Sequence, residues 1–182
     1  MTGRLVIVTN RVPDPRERGA TAGGLVVALK DALAKREALW FGWSGGTAAE
    51  TAVVAAEFRR NRTTYATIDL GQADYRHYYQ GFSNGALWPV LHYRLGMARF
   101  AREDWIGYRR VNAAFAAALM PLLRPGDTVW AHDFHLFLLA AELRALGCRA
   151  RIGFFLHVPF PPRSVFLPVS YTHLRAHETP EH

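Results

Sequence analysis

A chain of 182 residues, half of them hydrophobic, can bury one good core in one or at most two domains, which excludes an intrinsically disordered protein. The formal charge of +7 comes from 22 basic against 15 acidic residues, yet only Lys30 and Lys35 are lysines, and the arginines are scattered; the densest cluster, Arg59 to Arg62, reads as a solvated turn, so no nucleic-acid partner is expected. The single cysteine, Cys148, forms no internal disulfide, no Cys or His spacing fits structural zinc, and no apolar run nears the ~18 residues that span a bilayer, so a cytoplasmic, metal-free protein without membrane contact is expected.

Arg4 to Thr9 reads as a buried parallel strand, and Asn10 to Ala22, with Pro13, Pro15 and Gly19, as a loop. Gly23 and Gly24 open a helix with Leu25, Ala28, Leu29 and Leu33 on its apolar face, and Ala38 to Trp43 returns as a strand. From Gly45 the chain runs through a small polar helix or loop, then a strand at Thr63 to Leu70 and an aromatic-rich helix at Gln72 to Phe82. Trp105 to Leu123 is the longest helical pattern, stopped by Arg124-Pro125-Gly126. Asp127 to Ala131 is a strand, Phe134 to Leu146 a helix ended by Gly147, and Ala150 to Leu156 a last, buried strand. Strands alternating with helices predict an α/β fold, a Rossmann-like doubly wound parallel sheet whose ligands lie at the C-terminal strand ends. Val169 to His182 holds three of the eight histidines and no apolar period, and is expected to be a disordered, non-native tail.

Chemistry-bearing residues fall where such a sheet opens toward ligands. Arg11 follows the first strand, and its planar fork suits a phosphate; the plain alternative pairs it with Asp14 or Glu17. Gly23 and Gly24 bare backbone N–H groups at a helix start, which suits a diphosphate or simply a turn. Tyr79 and Trp88 carry faces that pack on sugars, although core packing is the default for aromatics, Tyr78, Phe82 and Trp43 among them. Trp40 fits either role. Asp133 can accept from sugar hydroxyls, cap the following helix, or join His132 and His135 around a metal. His157 follows the last strand as a ligand partner or a structural histidine.

Six segments carry a resemblance: TNR at Thr9 to Arg11, AGG at Ala22 to Gly24, WFGWSG at Trp40 to Gly45, YYQGFSNGALWP at Tyr78 to Pro89, HDFHL at His132 to Leu136 and RIGFFLHVPFPP at Arg151 to Pro162. From about Arg4 to Pro168 the chain resembles the N-terminal half of trehalose-6-phosphate synthases, retaining GT-B-type glycosyltransferases that move glucose from a nucleotide sugar, usually UDP-glucose, to glucose 6-phosphate. The resemblance implies an acceptor-binding Rossmann-like domain over residues 1–168 of an incomplete enzyme. It assigns Arg11, Tyr79, Trp88 and Asp133 to glucose 6-phosphate, Gly23 and Gly24 to the donor diphosphate, and His157, with Asp133, to the reacting glucose. It calls for no metal or other cofactor. It places the cations that hold the leaving diphosphate in a missing C-terminal nucleotide-binding domain, and leaves oligomeric state open, a homo-oligomer of the full-length enzyme included. Two other readings remain: a sugar-phosphate-binding pseudo-enzyme, and a serine hydrolase in which Gly42 to Gly46 fits G-x-S-x-G, with Ser44, Asp133 and His157 in the triad order of that fold.

Overall fold

The computed structural model describes residues 3–13, 33, 37–163 and 165. Six strands form one sheet: β1 (Leu5–Arg11), β2 (Ala38–Ala48), β3 (Ala56–Arg60), β4 (Thr63–Gly71), β5 (Thr128–His132) and β6 (Arg151–Phe155), in the order β3-β4-β2-β1-β5-β6. All pairings are parallel except β3 with β4. Successive strands step outward from β1 to β2 and β4, and later ones add on its other side as β5 and β6. The direction of winding therefore reverses between β1 and β5, and it is at such a reversal that an open α/β sheet leaves a crevice at its C-terminal edge.

β1 explains why the sheet is buried on both faces. Val6 and Val8 point into one core with Leu39, Phe41, Ile68, Phe115 and Leu119, while Leu5 and Ile7 point into another with Val12, Leu33, Ala38 and Trp40. A strand apolar at every position needs cover on both sides, and the first of these cores is built against helices. These are α1 (Gln72–Asp74) running into a π-helix (Tyr75–Leu87) and α2 (Trp88–Leu91), then α3 (Arg102–Leu119) and α4 (Leu139–Ala145). Fully buried Phe41 meets Phe115 of α3 edge-on at 5.5 Å. The helix expected from Gly23 lies outside the described residues apart from Leu33, which is buried on the second face.

Several expectations are corrected. The stretch after Gly45 is a loop only over residues 49–55: β2 continues to Ala48, and a further strand, β3, pairs antiparallel at the sheet's edge, its Phe58 ring stacked on Tyr65 at 5.0 Å. Arg11 is the last residue of β1 rather than a loop residue, paired with Trp43 after a register shift at Asn10. β6 is not buried. It pairs with β5 alone among the described residues, leaving Phe154 43% and Phe155 48% exposed. The aromatic helix does not stop at Phe82, and most of it is π-helix, a rare form found mainly as short bulges at functional sites. Gly81 allows it to touch α3, since a Cβ there would lie 2.3 Å from the Asp104 carboxyl carbon. His77 and Asp104 pair beside it at 2.8 Å.

Candidate active site at the C-terminal edge of the sheet

The bulge at Asn10 separates the buried part of β1 from its polar end. Thr9 accepts from Trp40 Nε1 at 2.8 Å and donates to the Arg11 carbonyl at 2.8 Å, so the chain is pinned on both sides of the irregularity. Asn10 is held in turn by the Tyr78 hydroxyl, which donates to its Oδ1 at 2.8 Å. Burial pushes that phenol well above its usual pKa, so it remains a donor. Bulges beside active sites re-aim side chains. Arg11 emerges exposed, its guanidinium lying over Gly45, and no carboxylate among the described residues pairs with it.

Asp133 follows β5 on the neighbouring strand. Its backbone, at φ 75° and ψ 165°, occupies a region that is essentially glycine-only. Three hydrogen bonds hold it there: its N–H donates to the Phe155 carbonyl (2.8 Å), its carbonyl accepts from Leu136 (3.1 Å), and its Oδ1 accepts from the Phe134 N–H (3.0 Å). The helix cap expected of this aspartate therefore exists, on a 3₁₀ turn at Phe134–Leu136. Only one carboxylate oxygen is used by the cap, which leaves the other for a ligand. Strain of this kind persists only where the surroundings over-determine it, and it concentrates at functional sites.

The two histidines that flank Asp133 do not converge on a metal. His132, 1% exposed and wedged 4.3 Å from the Trp130 ring, shares a hydrogen bond from its Nδ1 with His157 Nε2 at 3.1 Å. His135 turns the other way and stacks between Phe134 (4.2 Å) and Tyr79 (5.8 Å). Burial pulls each down to about 4, the His157 charge assisting at His132, while Asp133 opposes the shift at both. Both are neutral at pH 7. Among the described residues no set of three His, Cys, Asp or Glu side chains gathers as a metal site.

Tyr79 is tied to this edge by its stack on His135 and by Trp43, 5.6 Å away across the end of β2. Trp88 is nine residues further on. Nine steps of an α-helix put two residues on opposite faces, whereas a π-helix, at about 4.4 residues per turn, returns them to the same side. Trp88 is 37% exposed, stacks on His92 at 4.3 Å and lines a groove of about 660 Å³ with Arg76, Gln80, Asn84 and Arg99. Tyr79, packed against Trp43 and His135, is not among the residues that line that groove. Trp40 is core, stacked on Tyr65 at 6.2 Å. Gly23 and Gly24 lie outside the described residues.

The serine hydrolase reading fails on geometry. A nucleophile elbow needs a helix directly after the serine, but Ser44 sits inside β2, donates to Asp69 Oδ1 and accepts from the Gly46 N–H. His157 faces His132 instead of a carboxylate. The structure also reveals partnerships that spacing did not show: Tyr78 with Asn10, His132 with His157, and His135 with Tyr79. The HDFH segment placed both histidines beside Asp133, but which way each ring turned depended on β6 and the π-helix.

A sheet of this strand order, with polar side chains gathered where the winding reverses, is the Rossmann-like N-terminal part of a GT-B-type glycosyltransferase. Residues 4–174 match the model of glycosyltransferase family 20. The chain belongs to that family. It is 50% identical over 165 residues to the trehalose-6-phosphate synthase of Sinorhizobium fredii, covering 89% of this chain and 36% of the relative. Among solved structures, it superposes with a TM-score of 0.88 on the UDP-forming α,α-trehalose-phosphate synthase of Burkholderia vietnamiensis, at 46% identity over 96% of this chain and 38% of that one. The corresponding synthase of Burkholderia xenovorans in complex with glucose-6-phosphate matches with a TM-score of 0.83 and 45% identity over 95% and 37%. The chain thus spans about a third of the length of the curated relatives it matches. No helix among the described residues is long and apolar enough to cross a membrane.

Proposed function

We propose that residues 1–168 form the acceptor-binding part of an enzyme that transfers glucose, with retention, from UDP-glucose to glucose 6-phosphate, giving trehalose 6-phosphate. The observation that carries this reading is that exposed Arg11, which pairs with no carboxylate among the described residues, and strained Asp133 stand at the ends of adjacent strands where the sheet's winding reverses. Arg11 takes the acceptor phosphate in its fork, helped by the Tyr79 hydroxyl, while Trp88 packs on the acceptor sugar and the free oxygen of Asp133 accepts from a hydroxyl. His157, exposed beyond β6, donates to the glucose being transferred. Gly23 and Gly24 approach the donor diphosphate through their backbone N–H groups.

In this scheme the anomeric hydroxyl of glucose 6-phosphate attacks C1 of the donor glucose from the face that the diphosphate leaves, the C1–O bond to the diphosphate breaks, and the hydroxyl proton passes to a diphosphate oxygen. No protein carboxylate acts as nucleophile. The part played by this chain is to orient both sugars; a separate nucleotide-binding domain supplies the cations that hold the departing diphosphate. A cytoplasmic setting fits the one cysteine, Cys148, which is buried as a free thiol. The test is a pair of measurements on the 182-residue chain: calorimetric titration with glucose 6-phosphate, and an assay for trehalose 6-phosphate with both substrates present. Binding that inorganic phosphate competes away, without turnover, is expected. No binding at all would sink the acceptor assignment, and turnover would sink the requirement for a second domain.

A further inference from the structure

His132 is fully buried and touches no ligand-facing surface, yet it is the hydrogen-bond partner of the one exposed histidine at the sheet's edge. We infer that His132 is a positioning residue whose Nδ1–H donates to His157 Nε2 and thereby fixes His157 in the tautomer that carries its proton on Nδ1, the nitrogen left to meet the glucose being transferred. The identity of that ligand rests on the function proposed above; the tautomer does not.

The argument is one of counting protons. With one proton on each ring, a single proton occupies the 3.1 Å contact between His132 Nδ1 and His157 Nε2. If it belongs to His132, then His132 Nε2 is a bare acceptor and His157 keeps its proton on Nδ1. If it belongs to His157, then His132 must carry its own proton on Nε2. That atom is buried and has no hydrogen-bond partner among the described residues. The first arrangement leaves an unsatisfied acceptor inside the protein, and the second an unsatisfied N–H. Among backbone groups an orphaned buried N–H is rarer than an under-satisfied acceptor, and we extend that ordering to the imidazole ring. Trp130 at 4.3 Å and Phe155 at 6.1 Å pack against the ring.

The two rings, with centroids 5.3 Å apart and planes 25° from parallel, lie nearly end to end, which also fixes the direction in which His157 faces. A histidine free in water favours its proton on Nε2, so the protein imposes the less common tautomer. Its consequence is a donor, not an acceptor, at the ring nitrogen facing away from His132. That polarity suits the oxygen of a sugar hydroxyl. The tautomer of a histidine is commonly set in this way by the bond that its other nitrogen makes.

The test is nitrogen-15 NMR of the histidine rings in the unliganded chain at neutral pH, where protonated and bare ring nitrogens resonate far apart. His157 is expected to show a protonated Nδ1 and a bare Nε2. In His132→Phe, which cannot donate, it is expected to revert to the Nε2–H form. In His132→Asn, whose amide can donate to the same Nε2, it is expected to remain Nδ1–H. An Nε2–H tautomer in the unaltered chain overturns the inference, as does an unchanged His157 in His132→Phe with the backbone amide spectrum otherwise intact. Should the phenylalanine variant fail to fold, the unaltered chain and the asparagine variant still decide, since reversion in His132→Asn would contradict the donor role. Glucose 6-phosphate is added only afterwards: a fixed tautomer with no spectral change anywhere on adding it would reject the proposed function and leave the tautomer standing.

Discussion

Gly45 lies directly under the guanidinium of Arg11. A Cβ built on Gly45 would be 2.7 Å from Arg11 Nε and 2.8 Å from Cζ, and the glycine's φ of 96° is one that other residues rarely adopt. The glycine therefore does two things at once. It lets β2 kink between its pairings Trp43 with Ile68 and Thr47 with Leu70, and it leaves a flat bed on which the fork can lie. The WFGWSG segment carries the site through an absent side chain.

In the full-length enzyme, Arg11→Ala is expected to weaken glucose 6-phosphate binding by about 1.5 to 3 kcal/mol, the worth of hydrogen bonds to a charged group, with much less change for UDP-glucose. Gly45→Ala should weaken the same ligand by displacing the guanidinium. Calorimetric titrations of both single variants and the double variant form a cycle: in the Arg11→Ala background, Gly45→Ala should cost no further affinity. Additive losses would mean that Gly45 acts on something other than Arg11.

Asp133 offers a reversal of the usual glycine penalty. Ordinarily Gly is less stable than Ala at the same position by about 0.5–1 kcal/mol. At φ 75° and ψ 165° an alanine keeps backbone strain on the order of 1–3 kcal/mol, while glycine relieves it. Both substitutions remove the bond to the Phe134 N–H equally. Denaturant titration should therefore find Asp133→Gly more stable than Asp133→Ala by about 1 kcal/mol, although neither binds acceptor well. The opposite order would show that the backbone here is unstrained.

Much of the architecture was legible because burial on both faces writes itself into sequence: Leu5 to Val8, Leu39 to Phe41 and Val129 to Ala131 are apolar at successive positions, as parallel strands must be. The places where reading failed are those governed by partners distant in the chain. β3, AEFRR, has too few apolar residues to announce a strand, and is one because it pairs with β4. β6, RIGFF, looks like a core strand, but its exposure depends on what lies beyond it in the sheet. The π-helix left no local mark either, since its width follows from packing against α3. At the site, Arg11, Asp133 and His157 could be placed from strand ends alone. The partnership of His132 with His157 could not, because it joins residues from two strands whose register only the sheet sets.

Acid should loosen this protein earlier than its carboxylates alone would. The folded-state values of His132 and His135, about 4, lie below the usual 6.5, so between these limits the unfolded chain binds more protons than the folded one. Stability present above pH 6.5 is consequently lost as the pH falls toward 4, by about 1.4 kcal/mol per pH unit for each histidine. His135→Phe, among the rings of Tyr79 and Phe134, removes one of these groups. Denaturation midpoints measured from pH 7 to pH 4.5 should fall less steeply in that variant, whatever its stability at pH 7. An unchanged slope would place the proton uptake elsewhere.

The exposed edge of the sheet carries the last expectation. β6 presents Phe154 and Phe155, 43% and 48% exposed, followed by Phe160 at 56%, with no pairing partner on its outer side among the described residues. An apolar edge of this kind is a template for pairing with another chain, and natural sheets guard such edges with lysine. Among the described residues Phe154 makes one ring contact, to Phe137 at 5.5 Å, so replacing it removes about 0.5–1.5 kcal/mol of aromatic pairing without opening the main core. Phe154→Lys should thus be slightly less stable as a monomer yet stay monomeric to higher concentration than the parent chain, as read by sedimentation velocity over a concentration series. If the two chains associate alike, the apolar edge is not what drives self-association, and the remaining exposed residues of the groove beside Trp88, Met97 among them, become the next surface to alter.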